Sequence, residues 1–200
     1  PAILQGWYPG ARGGKAIAEI LFGDYSPEGK LPVTFYRTTE ELPAFTDYSM
    51  KNRTYRYMKK EALYPFGYGL GYTDMNCSGA KLEQNGEQYQ VSAVLSNDGC
   101  MDGAETLQVY VKVCREDAPN WQLKALKKVD LKAGEKKTVT LTLTEEDLGL
   151  YNEEGIKILH AGDYEIYAGT SQPDARSISL TGKKPEKLLV HVDTDKVIAE

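Results

Sequence analysis

Histidine occurs twice and cysteine three times in 200 residues, so the side chains that most often hold zinc or drive nucleophilic catalysis are scarce. Cys77, Cys100 and Cys114 form no CxxC pair and have no suitably spaced histidine, which excludes the usual zinc-site and disulfide-framework readings. A Cys77–Cys114 or Cys100–Cys114 bridge stays open, but an odd count leaves a free thiol, which fits a reducing compartment better. GxSxG is absent, and neither His160 nor His191 accompanies a nucleophile motif, so Ser–His–Asp and Cys–His chemistry have no support. No apolar run approaches the roughly 18 residues of a membrane-spanning helix. Pro1-Ala2-Ile3-Leu4-Gln5 has neither the basic region nor the apolar stretch of a signal peptide. A net charge of −5 without a Lys/Arg cluster argues against nonspecific phosphate binding. Nucleic acid and membrane are therefore not expected as partners, and no metal or cofactor is expected.

What is present divides near Tyr72. Residues 1–72 hold 9 of the 14 tyrosines and 6 of the 9 prolines and carry a charge of +2, whereas residues 73–200 carry −7. The second part alternates apolar and polar residues in a period of two. Tyr89, Val91, Ala93 and Leu95 form one such run; Leu107, Val109, Val111 and Val113 another; Val139, Leu141 and Leu143 a third. Shorter runs fall at Tyr164, Ile166 and Ala168, at Ile178 and Leu180, and at Leu188, Val190 and Val192. Asn85-Gly86 is a hairpin turn signal, and Asn97-Asp98-Gly99 supplies turn chemistry after the first run. About seven strands at antiparallel spacing point to an immunoglobulin-like sandwich. Without a Cys…Trp…Cys arrangement, the fibronectin type III version fits better.

The first part reads as a short α/β piece followed by an irregular segment. Ala2–Gln5 reads as a buried strand, Ala16, Ile17, Ile20 and Leu21 share one helix face, and Gly23 ends that helix. Leu31–Tyr36 reads as a second strand. Pro43, Pro65 and six tyrosines from Tyr48 to Tyr72 follow with no sustained period, a length of irregular chain that is functional or packed on another domain. A strand at residue 2 followed by an apolar-faced helix belongs to a sheet covered on both sides, so the sheet is read as truncated. With no initiator methionine, the chain is expected to be a piece of something longer.

Several motifs fail on inspection. Gly10-Ala11-Arg12-Gly13-Gly14-Lys15 misses the phosphate loop, which needs Gly at position 9 and Ser or Thr at position 16, where Pro9 and Ala16 stand. Its glycines instead permit a tight turn with Arg12 at the tip. Gly67-Tyr68-Gly69-Leu70-Gly71 misses the dinucleotide fingerprint because Tyr72 follows it with no helical pattern. His191, Asp193 and Asp195 would share one strand face, where solvation outweighs a metal site, and His160 reads as a turn residue. Glycoside cleavage needs one protonated and one ionised carboxyl about 5–9.5 Å apart, and no such pair can be placed from spacing.

The order of segments nevertheless resembles one family. Gly6-Trp7-Tyr8-Pro9-Gly10 through Lys15-Ala16, and Ala18 through Thr34 with its Gly23-Asp24-Tyr25-Ser26-Pro27-Glu28-Gly29-Lys30-Leu31-Pro32 core, resemble the end of the α/β sandwich domain of family 3 glycoside hydrolases. Asp47-Tyr48-Ser49-Met50, Arg53-Thr54-Tyr55-Arg56-Tyr57 and Leu63 through Thr73 resemble that family's linker, in the form of its β-xylosidase and β-glucosidase members. Ser96-Asn97-Asp98-Gly99, Gly103-Ala104-Glu105, Gln108-Val109-Tyr110-Val111 and Ala133-Gly134-Glu135 resemble its fibronectin type III-like domain.

The resemblance implies an α+β, mainly β chain: residues 1–40 a remnant of the α/β domain, 41–74 an aromatic-rich linker, 75–200 the sandwich. It implies the C-terminal accessory portion of a retaining exo-acting β-glycosidase, inactive alone. Its partners would be the parent's barrel and remaining α/β domain and the parent's oligosaccharide substrate; a homodimer stays open. The family's nucleophile Asp and acid/base Glu belong to regions absent from these residues, so no catalytic residue is carried over. Tyr8 and Arg12 are the candidates for lining the substrate cleft, set against a structural interdomain role, which is the favoured reading of the two. Ala11-Arg12 stands where many members have Gln-Glu, which changes the charge there. An acidic pI near 5.2 favours the cytoplasm, while a secreted parent stays open. The alternative is a stand-alone carbohydrate- or protein-binding sandwich module that stacks Trp7 or Trp121 on sugar rings. Exposure separates the two, since a module shows a few aligned aromatics and a fragment a broad apolar scar.

Overall fold

The computed structural model describes residues 2–199. Helix α1 (Gly13–Leu21) opens the chain, a 3-10 turn covers Thr39–Glu41, and α2 (Thr54–Tyr57) is a single turn. Ten strands follow: β1 (Met75–Asn85), β2 (Gln88–Asn97), β3 (Gly103–Val113), β4 (Gln122–Leu131), β5 (Lys136–Thr144), β6 (Leu150–Tyr151), β7 (Lys157–Leu159), β8 (Gly162–Gly169), β9 (Glu186–Val192) and β10 (Lys196–Ala199). Between them lie α3 (Glu145–Leu148) and α4 (Ala175–Thr181).

Two antiparallel sheets, ordered β1-β2-β5 and β4-β3-β8-β9, face each other across one core, and β10-β7-β6 form a third, small sheet. Alternation explains the core. Tyr89, Val91, Ala93 and Leu95 of β2 face Leu107, Val109, Val111 and Val113 of β3, with Val139, Leu143, Tyr164 and Ile166 completing one buried cluster. Gly86 takes φ +61 in the β1–β2 turn, as Asn85-Gly86 requires. The Tyr164 hydroxyl donates to the His160 carbonyl at 2.8 Å and accepts from the His160 N–H at 3.0 Å. This is a tyrosine corner at the start of β8, and it makes His160 a turn residue.

Four expectations are corrected. Ala2–Gln5 is exposed and joins no sheet, because no described strand lies beside it to pair with its backbone N–H and C=O groups. Leu31–Tyr36 forms only the isolated bridge Phe35–Tyr64. Ile178 and Leu180 sit on α4: Asp174 caps it by accepting from the Ser177 N–H at 3.0 Å, and Gly182 at φ +70 ends it. Two residues at i and i+2 cannot separate strand from a short helix when the caps decide. His191 lies on β9, but Asp193 and Asp195 fall in the β9–β10 connection, so the three do not share a strand face.

The linker region is irregular but not loose. It crosses the outer face of the four-stranded sheet, so β3 is buried on both sides, with Gln108 2% and Tyr110 0% exposed.

Candidate functional site

Tyr8 and Arg12 occupy the turn before α1. The Gly13 N–H donates to the Gly10 carbonyl at 2.8 Å, and a Cβ at Gly13 would overlap Pro9, so a side chain there would open the turn. Tyr8 is fully exposed; the Arg12 carbonyl accepts from the Ala16 N–H at 3.1 Å, while its exposed side chain forms no hydrogen bond or ion pair among the described residues. The structure keeps both near α1.

They stand within a larger surface. Among the described residues, fifteen exposed large apolar side chains fall in residues 2–72 and four after them; Trp7, Phe22, Phe45 and Tyr48 are among the fifteen. No residue of α1 is buried, although Ile17, Ile20 and Leu21 lie on one face. Trp7, Phe35, Tyr64 and Tyr68 make a chain of ring contacts, with centroids 5.8–6.5 Å apart. Exposed apolar side chains concentrated in one part of a chain in this way are the pattern that accompanies interaction faces, unlike single scattered ones.

The opposite side of the linker is a joint with the sandwich. Gln108 Nε2 donates to the carbonyls of Gly67 at 3.0 Å and Thr170 at 2.9 Å, and the Tyr110 hydroxyl donates to Gln108 Oε1 at 2.6 Å. Tyr55 stacks on Phe66 with centroids 4.1 Å apart, and its hydroxyl accepts from the Leu123 N–H at 3.1 Å. Asn120 Nδ2 donates to the Tyr55 and Met58 carbonyls, while an Arg56 guanidinium N–H reaches Gln122 Oε1 at 2.6 Å. Lys30 pairs with the buried Glu105 at 2.8 Å, and Lys128 with Glu28 at 2.5 Å. The period-two pattern puts Gln108 and Tyr110 on the polar side of a strand. The one signal available was that both are uncharged where a solvated face favours charge.

The carboxyls whose acidity departs from normal all move the same way. A Lys183 hydrogen bond, then one from Asn76, holds Asp74 below the usual carboxylate range, and Asn76 and Ser96 do the same for Asp98. Glu165 is lowered by Tyr167, then by Lys187, and Asp195 by the Ala161 N–H. Each is stabilised as an anion, the reverse of the raised pKa that a general acid needs. His191 contacts Asp163 at 2.6 Å, whose hydrogen bond raises its pKa. No group of three or more His, Cys, Asp or Glu side chains with metal-holding geometry occurs among the described residues.

Two family models match. Residues 1–72 match the glycosyl hydrolase family 3 C-terminal domain, and residues 105–172 match a fibronectin type III-like domain. A xylan 1,4-beta-xylosidase of Xylanibacter ruminicola is 45% identical over 184 residues, which cover 90% of this chain and 21% of that protein. A periplasmic beta-glucosidase of Salmonella typhimurium is 34% identical, covering 84% of this chain and 24% of its own length. Beta-glucosidase 3B from Thermotoga neapolitana, solved with α-D-glucose, superposes with a TM-score of 0.84 at 30% identity, over 97% of this chain and 28% of that one. The beta-glucosidase of Kluyveromyces marxianus gives 0.83 at 29% identity, over 96% and 24%. The chain thus spans about a fifth to a quarter of the curated relatives named here.

Proposed function

This chain belongs to glycosyl hydrolase family 3, and we propose that it is the C-terminal accessory part of a retaining exo-acting β-glycosidase of β-glucosidase or β-xylosidase type. On this reading residues 1–40 complete the parent's α/β domain, 41–74 form the linker and 75–200 the sandwich. The observation that carries it is the concentration of exposed apolar side chains in residues 2–72. Those groups gain about 25 cal/mol for each Å² removed from water, so the face is built to be covered. The cover proposed is the parent's remaining α/β domain and barrel.

The chemistry would then be divided. A retaining glycosidase holds two carboxyls about 5–5.5 Å apart, one as nucleophile and one as acid/base; both would come from the parent's other domains. This chain would contribute Tyr8 and Arg12, whose side chains have no partners here, to the rim of the cleft. Arg12 would supply a fixed cation with five donors for sugar hydroxyls, and Tyr8 an apolar ring with a hydroxyl tip.

Hydrolysis of nitrophenyl β-glucoside and β-xyloside tests the reading, with the chain alone and mixed with separately expressed preceding domains of its parent. No turnover alone and turnover on mixing is the expected result. Turnover by the chain alone would overturn it and require a carboxyl pair within these residues.

A further inference from the structure

Three non-glycine residues among those described take the left-handed backbone conformation: Trp7 at φ +50, Asn52 at φ +58 and Thr54 at φ +54. Trp7 is the bulkiest of them and stands immediately before Tyr8. A large aromatic residue holds that conformation only where its surroundings outweigh the strain, and such strain collects at sites that keep a group in a set place.

The contacts on either side of Tyr8 show what the strained turn achieves. A Cβ built on Gly6 would lie 3.7 Å from Ile17 Cδ1, so the chain before Tyr8 rests against α1. Trp7 sets its ring against Phe35, with centroids 6.4 Å apart. Pro9 packs against Gly13, and its ring keeps Tyr8 out of the helical region. Gly6, Trp7 and Pro9 are each seated on another part of the chain, whereas Tyr8 in their midst is fully exposed. A turn that seats the neighbours of a residue and leaves that residue projecting is built to present it.

The seat of Trp7 is anchored in depth. The Phe35 N–H donates to the Tyr64 carbonyl at 2.9 Å, and the Phe35 carbonyl accepts from the Leu63 N–H at 2.8 Å. The Phe35 ring meets Tyr64 edge-on at 6.5 Å, and Tyr64 stacks on Tyr68 at 5.8 Å. The Leu31 N–H donates to the Tyr68 carbonyl at 2.8 Å, and the Gly67 N–H to the Leu31 carbonyl at 2.7 Å. The Gly67 carbonyl accepts in turn from the buried Gln108 of β3. Contacts therefore run without a gap from the sandwich to Trp7.

We propose that Trp7 is a positioning residue: held by Phe35, and through Tyr64 and Tyr68 by the sandwich, it fixes Tyr8 at one place on the cleft rim, where the Tyr8 ring lies against the substrate sugar nearest the cleft mouth. This rests on the placement of Tyr8 at the rim proposed above, and it gives the sandwich a part in substrate binding while it stays remote from bond cleavage. A contact to a sugar that does not itself react is made equally in the ground and transition states, so loss of it weakens binding without slowing the chemical step.

The test has two arms. The first uses the 200-residue chain alone. Backbone amide relaxation and φ-sensitive coupling constants should show an ordered, left-handed position 7 in the unaltered chain and in Phe35→Tyr, and a mobile position 7 with negative φ in Phe35→Ala and Trp7→Ala. Trp7 and Phe35 lie outside the sandwich core, so its urea transition should be the same in all four. The second arm uses the chain mixed with the separately expressed preceding domains of its parent, with xylobiose and cellobiose as substrates. Tyr8→Ala, Trp7→Ala and Phe35→Ala should each raise KM about tenfold with kcat unchanged, and Phe35→Tyr should behave as the unaltered chain. Tyr8→Ala combined with Trp7→Ala should be no worse than Tyr8→Ala alone, the mark of two residues acting through one contact. A position 7 that stays ordered and left-handed in Phe35→Ala, a fall in kcat, or additive effects in the double variant would each overturn the proposal. No turnover by the unaltered mixture would overturn the function proposed above and with it the contact of Tyr8, whereas the first arm needs no parent and reads separately whether Phe35 holds Trp7.

Discussion

Single side chains show how little tolerance the sandwich and its joint have. Val111 is 1% exposed between the sheets, and Val111→Asp would bury an unpaired charge there. Loss of the cooperative urea transition is the expected outcome; a soluble, cooperatively folding variant would count against this placement. Gly67 combines φ +76 with a close approach: a Cβ built on it would lie 2.5 Å from the Tyr110 hydroxyl oxygen and closer still to Gln108 Oε1. Gly67→Ala should therefore cost more than the roughly 1–2 kcal/mol of the left-handed backbone alone, measured as a drop in urea midpoint. The cysteines differ in the same local way. Burial pushes the Cys77 thiol up to about 12, whereas Cys100 and Cys114 are exposed. At pH 8 two thiols should react with a disulfide reagent in the native chain and a third only on unfolding.

At the scale of elements, small polar staples decide which strands and segments stay together. The Glu186 carboxylate on β9 accepts from the N–H groups of Gly79 and Ala80 at 2.6 and 2.9 Å, where the register of β1 shifts between Ser78 and Lys81. That contact crosses from one sheet to the other, and Glu186→Ala should speed amide exchange at Gly79 and Ala80 before it alters the rest of β1. Arg56→Ala removes the bond to Gln122 and should raise protease sensitivity of residues 50–60 while the sandwich transition stays intact. Unchanged cleavage there would contradict the joint. Alternation exposed β2, β3, β5, β8 and β9 in the sequence because each has one core-facing row. β4 hid because its Lys124, Lys127 and Lys128 break the pattern. α4 carries a strand-like pattern because Ile178 and Leu180 stand two apart, and its Asp174 cap gains meaning only with the turn before it.

For the whole molecule, charge and the uncovered face set behaviour. The lowered carboxyls, Asp74, Asp98, Glu165 and Asp195, bind protons less readily folded than unfolded. Their contribution is full above the unfolded pKa, near 4, and is lost as pH falls through the lower folded values. The raised His191 works in the opposite sense, contributing fully below the unfolded pKa, near 6.5, and losing that contribution as pH rises through its folded value. Unfolding midpoints should thus fall below about pH 4, with a small decline above neutrality that His191→Ala abolishes. The sandwich, the family and the turn chemistry are legible in the residues alone, because period-two rows, Asn-Gly turns and an ordered set of aromatic motifs are local signals. That β3 is buried on both faces, that Gln108 and Tyr110 lock the linker, and that Thr34 and Gln172 line one cavity emerges only from the folded chain. Those facts depend on contacts between residues some 40 to 140 positions apart, where burial is set by what the chain folds against and no local pattern records it.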